Sequence, residues 1–262
     1  MTIDWTRAVS IPDLMGKAVL ITGASTGIGA ALVLAYAAQG CKVGLHYNAS
    51  SEAAERLAET IRRQGGDVFL CKGDFSVSAD VARVVEQTAA HFGRLDGLVN
   101  NAGGMLGRVA YADMTDAHYD AVMNLNVRSV ITACRVAMPW LKRRGGFIVN
   151  TSSIAARNGG GGGAGLYASA KSFVSNFTRG LAKELIGSGV RVNAVSPGTI
   201  LTPFHERYSN ETQMAAMVAT IPQGRAGIAE DCVGAYLFLS SEALAGYITG
   251  QIIEVNGGQL MP

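Results

Sequence analysis

The sequence predicts an α/β fold, a single domain built on one doubly wound parallel sheet flanked by helices. Three features predict it: short apolar runs without polar alternation, longer helical stretches between them, and a glycine-rich turn directly after the first run. Parallel strands covered on both faces need no alternation, because neither face meets water. Repeated strand–helix units with right-handed crossovers then lay helices on both sides of the sheet. A chain of 262 residues fits this architecture as one domain, and a hydrophobic content of 48% supplies its core.

Residues 1–15 precede the first strand and read as an N-terminal extension, with Trp5 available to pin it; the domain proper is 16–262. Residues 18–22 are the first strand, followed by an alanine-rich helix over 29–39. The β-rich run 42–47 is the second strand, and the charged stretch 51–64 the next helix. Residues 68–71 give the third strand and 79–92 its helix. Leu98 and Val99 are the centre of a fourth strand; one helix over 118–143 then leads to a fifth strand at 147–151. A helix over 167–186, a strand at 191–195, a helix over 230–239 and a last strand at 251–255 complete the series. Segment 158–165 is almost entirely glycine, and two readings stand beside each other: a flexible connector, or a mobile rim on a substrate pocket.

Composition narrows the function classes. Basic and acidic residues number 22 and 20 and are scattered, which speaks against nucleic-acid binding. Cys41, Cys71, Cys134 and Cys232 form no CxxC pair, so no metal site is expected and the thiols read as buried in a reducing compartment. Asp4 precedes any apolar run, no signal-peptide pattern is evident, and no apolar run is long enough to span a bilayer. The expectation is a cytoplasmic protein without a membrane partner.

The chemistry starts at Thr22-Gly-Ala-Ser-Thr-Gly-Ile-Gly29. Gly23, Gly27 and Gly29 permit a tight turn, and without Cβ atoms backbone amides can approach a pyrophosphate at the helix N-terminus. The spacing is not GxGxxG, so the usual dinucleotide fingerprint is not met literally. Tyr167 and Lys171 are four residues apart at the start of a predicted helix and share one face. A phenol titrates near ~10, too high for efficient acid–base work at neutral pH. An ammonium about 4 Å away contributes about 4 kcal/mol at an effective dielectric of ~20, or roughly three pKa units, so Lys171 is expected to lower Tyr167.

Together these segments resemble the short-chain dehydrogenase/reductase family. The glycine turn is similar to its TGxxxGxG pattern, and the likeness continues through Asn100-Asn-Ala-Gly103, Tyr167-Ala-Ser-Ala-Lys171, Pro197-Gly198 and Val255-Asn-Gly-Gly258, covering about residues 15–258. The resemblance implies a Rossmann-like, NAD(P)-dependent oxidoreductase that moves a hydride between cofactor and a ketone or secondary alcohol. It implies Tyr167 as proton donor or acceptor, Lys171 as holder of the nicotinamide ribose, and a serine steadying the substrate oxygen. The family's serine falls 13 positions before its tyrosine, which is Ile154 here; Ser153 is chosen by its alignment with the second of the paired serines, and Ser152 competes with it. Asn126 matches the helix asparagine that supports a proton-relay water, with Asn124 a decoy two positions away.

The same likeness assigns the cofactor contacts. They are Gly23, Ser25, Thr26, Gly27, Ile28 and Gly29 in the turn, Tyr47, Asn48 and Ser50 after the second strand, and Asp74 and Phe75 after the third. Asn101, Ala102 and Gly103, then Tyr167 and Lys171, then Pro197, Gly198, Ile200 and Thr202 follow, while Asn100 braces the sheet. No carboxylate ends the second strand to repel a 2′-phosphate, and small polar groups there can hydrogen-bond it, so NADP is favoured over NAD; against it, Ser25 and Thr26 stand where many NADP users of the family place an arginine, and His46 adds charge only if protonated. Substrate choice is expected from 104–109, 159–165 and a lid over 203–222 carrying Phe204, His205, Tyr208, Met214 and Met217, a stretch that equally fits a plain surface helix. Arg157, Asn158 and His205 suit a polyol or sugar. A 3-oxoacyl-thioester reductase is the alternative within the class. A non-catalytic dinucleotide sensor is the alternative outside it, although such proteins commonly lose the tyrosine or lysine retained here. Relatives also imply a homotetramer, joined through the helices bearing Asn126 and Tyr167 and the C-terminal segment.

Overall fold

The structure, a computed structural model, describes residues 10–261. Seven parallel strands form the sheet: β1 (Ala18–Ile21), β2 (Lys42–Tyr47), β3 (Val68–Lys72), β4 (Gly97–Asn100), β5 (Gly146–Thr151), β6 (Val190–Pro197) and β9 (Ile252–Val255), in the order β3-β2-β1-β4-β5-β6-β9. Order reverses between β1 and β4, and the crevice of a doubly wound sheet opens at such a point. Successive side chains explain the lack of polar alternation. Val19, Ile21, Val43, Leu45, Val99 and Val149 enter one core, while Leu20, Leu98, Ile148 and Val192 enter the other. Both faces of β1, β4 and β6 are therefore dry. All four cysteines are buried and free, divided between these cores.

Helices α1 (Gly27–Ala38), α2 (Ser51–Arg63) and α10 (Ala229–Ser240) cover one face; α3 (Ser78–Phe92), α5 (Ser129–Leu141) and α7 (Gly165–Leu185) cover the other. The expected single helix over 118–143 is three pieces: α4 (Asp116–Met123), a wide π turn at Asn124–Arg128, and α5. Thr115 caps α4 by accepting from the His118 amide at 3.2 Å. The π turn puts the Asn126 side chain inward, and sequence periodicity carries no signal for one extra residue in a turn. The expected lid is also two helices, α8 (Pro203–Tyr208) and α9 (Glu211–Ala219), neither with a fully buried residue. Short helices α6 (Ala155–Asn158) and α11 (Glu242–Ala245) and the pair β7 (Ile200–Leu201) and β8 (Gly227–Ile228) were not foreseen.

The expected boundary at residue 16 is too late. Ile11 and Leu14 are buried in the first core, the Ile11 amide donates to Gln39 Oε1 at 2.8 Å, and Cys41 donates to the Leu14 carbonyl. Trp5 lies outside the described residues. Among the described residues, no helix is long and apolar enough to cross a membrane.

Candidate active site

The C-terminal ends of β1, β2, β4, β5 and β6 converge on one cavity of about 770 Å³. Its floor is the glycine turn. Gly23 takes φ 61°, and a Cβ there would meet the Ala102 backbone at 2.9 Å; a Cβ on Gly29 would sit 2.2 Å from the Gly23 carbonyl. The turn is pinned from both sides. Asn101 Nδ2 donates to the Thr22 and Gly23 carbonyls, both at 3.0 Å, while Thr22 Oγ1 accepts from the amides of Asn101 and Ala102. The Gly23 amide donates to His46 Nδ1 at 2.9 Å, so His46 Nε2 carries the proton and donates to the Gly73 carbonyl at 3.0 Å. Burial pulls this imidazole down to about 4. His46 is thus neutral and structural, with no charge to offer a phosphate.

Opposite the turn, Tyr167 and Lys171 stand one helical turn apart on α7, with Lys171 Nζ 5.8 Å from the Tyr167 ring centre. Lys171 is buried and its Nζ donates to the Thr151 carbonyl at 2.8 Å. Ser152 is tied into α7 through Ser175 Oγ at 2.6 Å and the Lys171 carbonyl at 3.2 Å. Both serines line the cavity, and Ser153 is the one that hydrogen-bonds toward Tyr167. The two competing serines are separated by their partners, Ser175 and the Lys171 carbonyl for one and Tyr167 for the other.

The expected pKa logic needs correction. Burial raises the Tyr167 phenol to about 12; the Ser153 hydrogen bond opposes the rise and Tyr208 adds to it. Lys171 is not among the causes, and burial lowers its own ammonium to about 8. Desolvation is the leading cause at both groups, and the ammonium finds its hydrogen-bond partner in the Thr151 carbonyl.

Gly23, Ser25, Thr26, Gly27, Ile28, Asn48, Ser50, Phe75, Asn101, Ala102, Gly103, Ser153, Tyr167, Lys171, Pro197, Gly198, Ile200 and Thr202 all line the cavity. Four expected residues do not. Gly29 lies behind the turn. Tyr47 packs against the first core. The Asp74 carboxylate accepts from the Ser76 amide and hydroxyl, both at 2.8 Å. Asn126 sits behind Gly104, accepting from its amide at 3.1 Å and donating to its carbonyl at 2.8 Å and to Val122 at 2.9 Å. Both Asn126 N–H groups are spent inside the wall, so the expected support of a relay water does not come from its amide donors. Asn100 braces the sheet as expected, donating to Asn150 Oδ1 at 2.9 Å.

Asn158, His205, Tyr208 and Met217 reach the cavity, while Arg157 and Met214 do not. Sequence reasoning missed Arg108, Arg207, Leu125 and Gln259 on the wall. Arg108 lay inside the segment expected to shape specificity, and its charge in a glycine-rich neighbourhood was the available signal.

Known proteins match this arrangement. A family model described as enoyl-(acyl carrier protein) reductase matches residues 23–259. A 3-oxoacyl-(acyl-carrier-protein) reductase of Staphylococcus aureus is 36% identical over 248 residues, covering 94% of this chain and 99% of that protein. The crystal structure of an NADH-dependent reductase A1-R′ responsible for alginate metabolism aligns with TM-score 0.88 at 38% identity, covering 96% of this chain and 100% of the other. A short chain dehydrogenase from Burkholderia cenocepacia in complex with NADP aligns with TM-score 0.86 at 32% identity, over 94% and 99% of the two chains.

Proposed function

The chain belongs to the short-chain dehydrogenase/reductase family and is a nicotinamide-dependent oxidoreductase acting between keto and hydroxyl groups, and we propose that Tyr167, Ser153 and Lys171 carry the reaction. The observation that carries this reading is their convergence on one cavity opposite a glycine turn that no Cβ could occupy. The turn fits a dinucleotide pyrophosphate. A bound nicotinamide dinucleotide supplies or accepts the hydride.

The protein's own residues handle the proton. A phenol raised to about 12 is fully protonated at neutral pH, the state that a reduction requires. Tyr167 Oη gives this proton to the carbonyl oxygen while the Ser153 hydroxyl steadies that oxygen. Lys171 stands one helical turn from the phenol, and its part in the reaction lies at the ribose rather than in setting the resting pKa of Tyr167. Lys171 spends one of its three N–H groups on Thr151 and keeps two for ribose hydroxyls. Asn126 is a positioning residue: it fixes the backbone of Gly104 in the cavity wall.

NADP is the proposed cofactor. Asn48, Ala49 and Ser50 line the cavity beyond β2, and no carboxylate lines it among the described residues. Because A1-R′ is NADH-dependent, saturation curves with both dinucleotides decide the point; a lower Kd for NAD rejects it. The proposed substrate is a small hydroxylated ketone of the polyol or sugar class, supported by Asn158 and His205 on the wall. A 3-oxoacyl thioester is the second reading, supported by the S. aureus relative. Nicotinamide absorbance with a panel of ketones, polyols and acyl thioesters separates the two. Tyr167→Phe should lose turnover yet bind dinucleotide; unchanged turnover rejects its role.

We place the protein in a reducing cytoplasm, a reading supported by four buried free thiols. The exposed Phe173, stacked on Phe177 on α7, and the outer strand β9 support the homotetramer. Sedimentation at a monomer mass at micromolar concentration rejects it.

A further inference from the structure

The lining of the cavity is electrically one-sided. Arg108, Lys171 and Arg207 line it, and no Asp or Glu does among the described residues. Lys171 belongs to the proton chemistry, and Arg207 is solvent-exposed. Arg108 is different, because it is half-buried and every acceptor it meets is neutral: Nε donates to the Tyr208 carbonyl at 2.6 Å, Nη1 to the Gly162 carbonyl at 2.9 Å, and Nη2 to Ser209 Oγ at 3.5 Å. No carboxylate pairs with it among the described residues. A guanidinium has five N–H groups, so two remain for a ligand, and their planar fork matches a carboxylate.

Its place in the fold is on the substrate side. Arg108 leaves the loop after β4 and joins the glycine run at Gly162 to α8 at Tyr208. One aromatic layer separates it from the proton donor: the Phe204 ring lies 5.4 Å from Tyr167 and 5.0 Å from Tyr208, whose carbonyl Arg108 holds. The glycine run makes room for it. A Cβ on Gly163 would stand 2.8 Å from Arg108 Cβ, and the Gly163 carbonyl accepts from the Val109 amide at 3.0 Å.

Building on the oxidoreductase reading, we propose that Arg108 determines specificity by receiving the carboxylate of an anionic ketone, so that the enzyme reduces keto acids in preference to their neutral esters. The carboxylate neutralises a charge the protein leaves unpaired, and the keto group then lies across the Phe204 layer at Tyr167. The depression of His205 by burial and by Arg108 marks the same uncompensated field. A bidentate ion pair gains most where water is partly excluded, as it is at this half-buried side chain.

The test measures kcat/KM for small 2-, 3- and 4-keto acids, plain and hydroxylated, each beside its methyl ester, with saturating cofactor. The wild-type enzyme should favour the acid by about tenfold or more for at least one chain length. Arg108→Gln should collapse that ratio toward one through the KM of the acid, and Arg108→Lys should keep part of it, because point charge survives while the fork is lost. Dinucleotide binding by both variants, read by fluorescence, shows that they fold. Equal use of acid and ester by the wild type overturns the inference, as does a variant that loses both in proportion, which would make Arg108 a rim fastener only. Absence of turnover with every acid and ester sinks the enzymatic reading itself, a pattern distinct from turnover without charge preference.

Discussion

The two halves of the cavity are built by opposite means. On the dinucleotide side, Thr22, Gly23, Asn101 and His46 hold one another through a closed set of backbone-directed bonds, and both Gly23 and Gly29 lack room for a methyl group. On the substrate side, α8 and α9 contribute no fully buried residue, and the rim segments are tied by the Arg108 guanidinium and the Val109–Gly163 backbone bond. The first half is fixed by steric necessity and the second by a few polar contacts. Rigidity is therefore spent where the ligand is constant, and adjustability is kept where it varies among relatives.

The contrast is tested first where the halves meet. Ser153→Ala removes the hydroxyl assigned to the substrate oxygen and should lower kcat by about 10²-fold or more, with dinucleotide affinity unchanged. A loss of affinity instead would place Ser153 in the rigid half. The next effect is pH. Lys171 stands near about 8, so its ammonium is lost above that value, and kcat/KM for reduction should fall by about tenfold per pH unit there. A profile flat into the alkaline range contradicts the assignment of Lys171.

Within the rigid half, Gly29→Ala places a carbon 2.2 Å from the Gly23 carbonyl and should cost about 1–3 kcal/mol of stability together with dinucleotide binding. A thermal melt without change would show that the turn gives way more easily than its bonding suggests. The smallest effect lies in the lid. Asn210 and Gln213 form a reciprocal cap at the start of α9. Asn210→Ala should loosen that helix by about 1 kcal/mol, raising KM while the melting temperature holds. A fall in melting temperature equal to that of Gly29→Ala would erase the contrast between the halves.

The same asymmetry governs what could be read from the chain. The sheet was legible because its central strands are short runs with apolar centres and no polar alternation, and the turn because its glycines are demanded by contact distances. Tyr167, Lys171 and Ser153 were singled out by spacing and resemblance, and all three line the cavity. Asp74 and Tyr47 were misplaced because a position in a pattern does not say where a side chain turns, and Ser76 offered the Asp74 carboxylate a nearer partner. Lysine was credited with tuning Tyr167 because charge and spacing are visible in sequence, whereas desolvation and the competing Thr151 carbonyl are properties of the packed state. Arg108 was passed over for Arg157 because only the assembled rim shows which cation reaches the cavity.

His46 gives the protein an acid threshold. Its Nδ1 can accept from Gly23 only while unprotonated, and burial has moved its titration from the solution value of 6.5 to about 4. Since the unfolded chain binds this proton more readily, the site's stabilisation is complete above the solution value and drains away as acidity approaches the folded one, by roughly 3 kcal/mol in all. Acidification therefore loosens the phosphate turn at Gly23 before it reaches the apolar interior, and loss of dinucleotide should precede loss of the sheet.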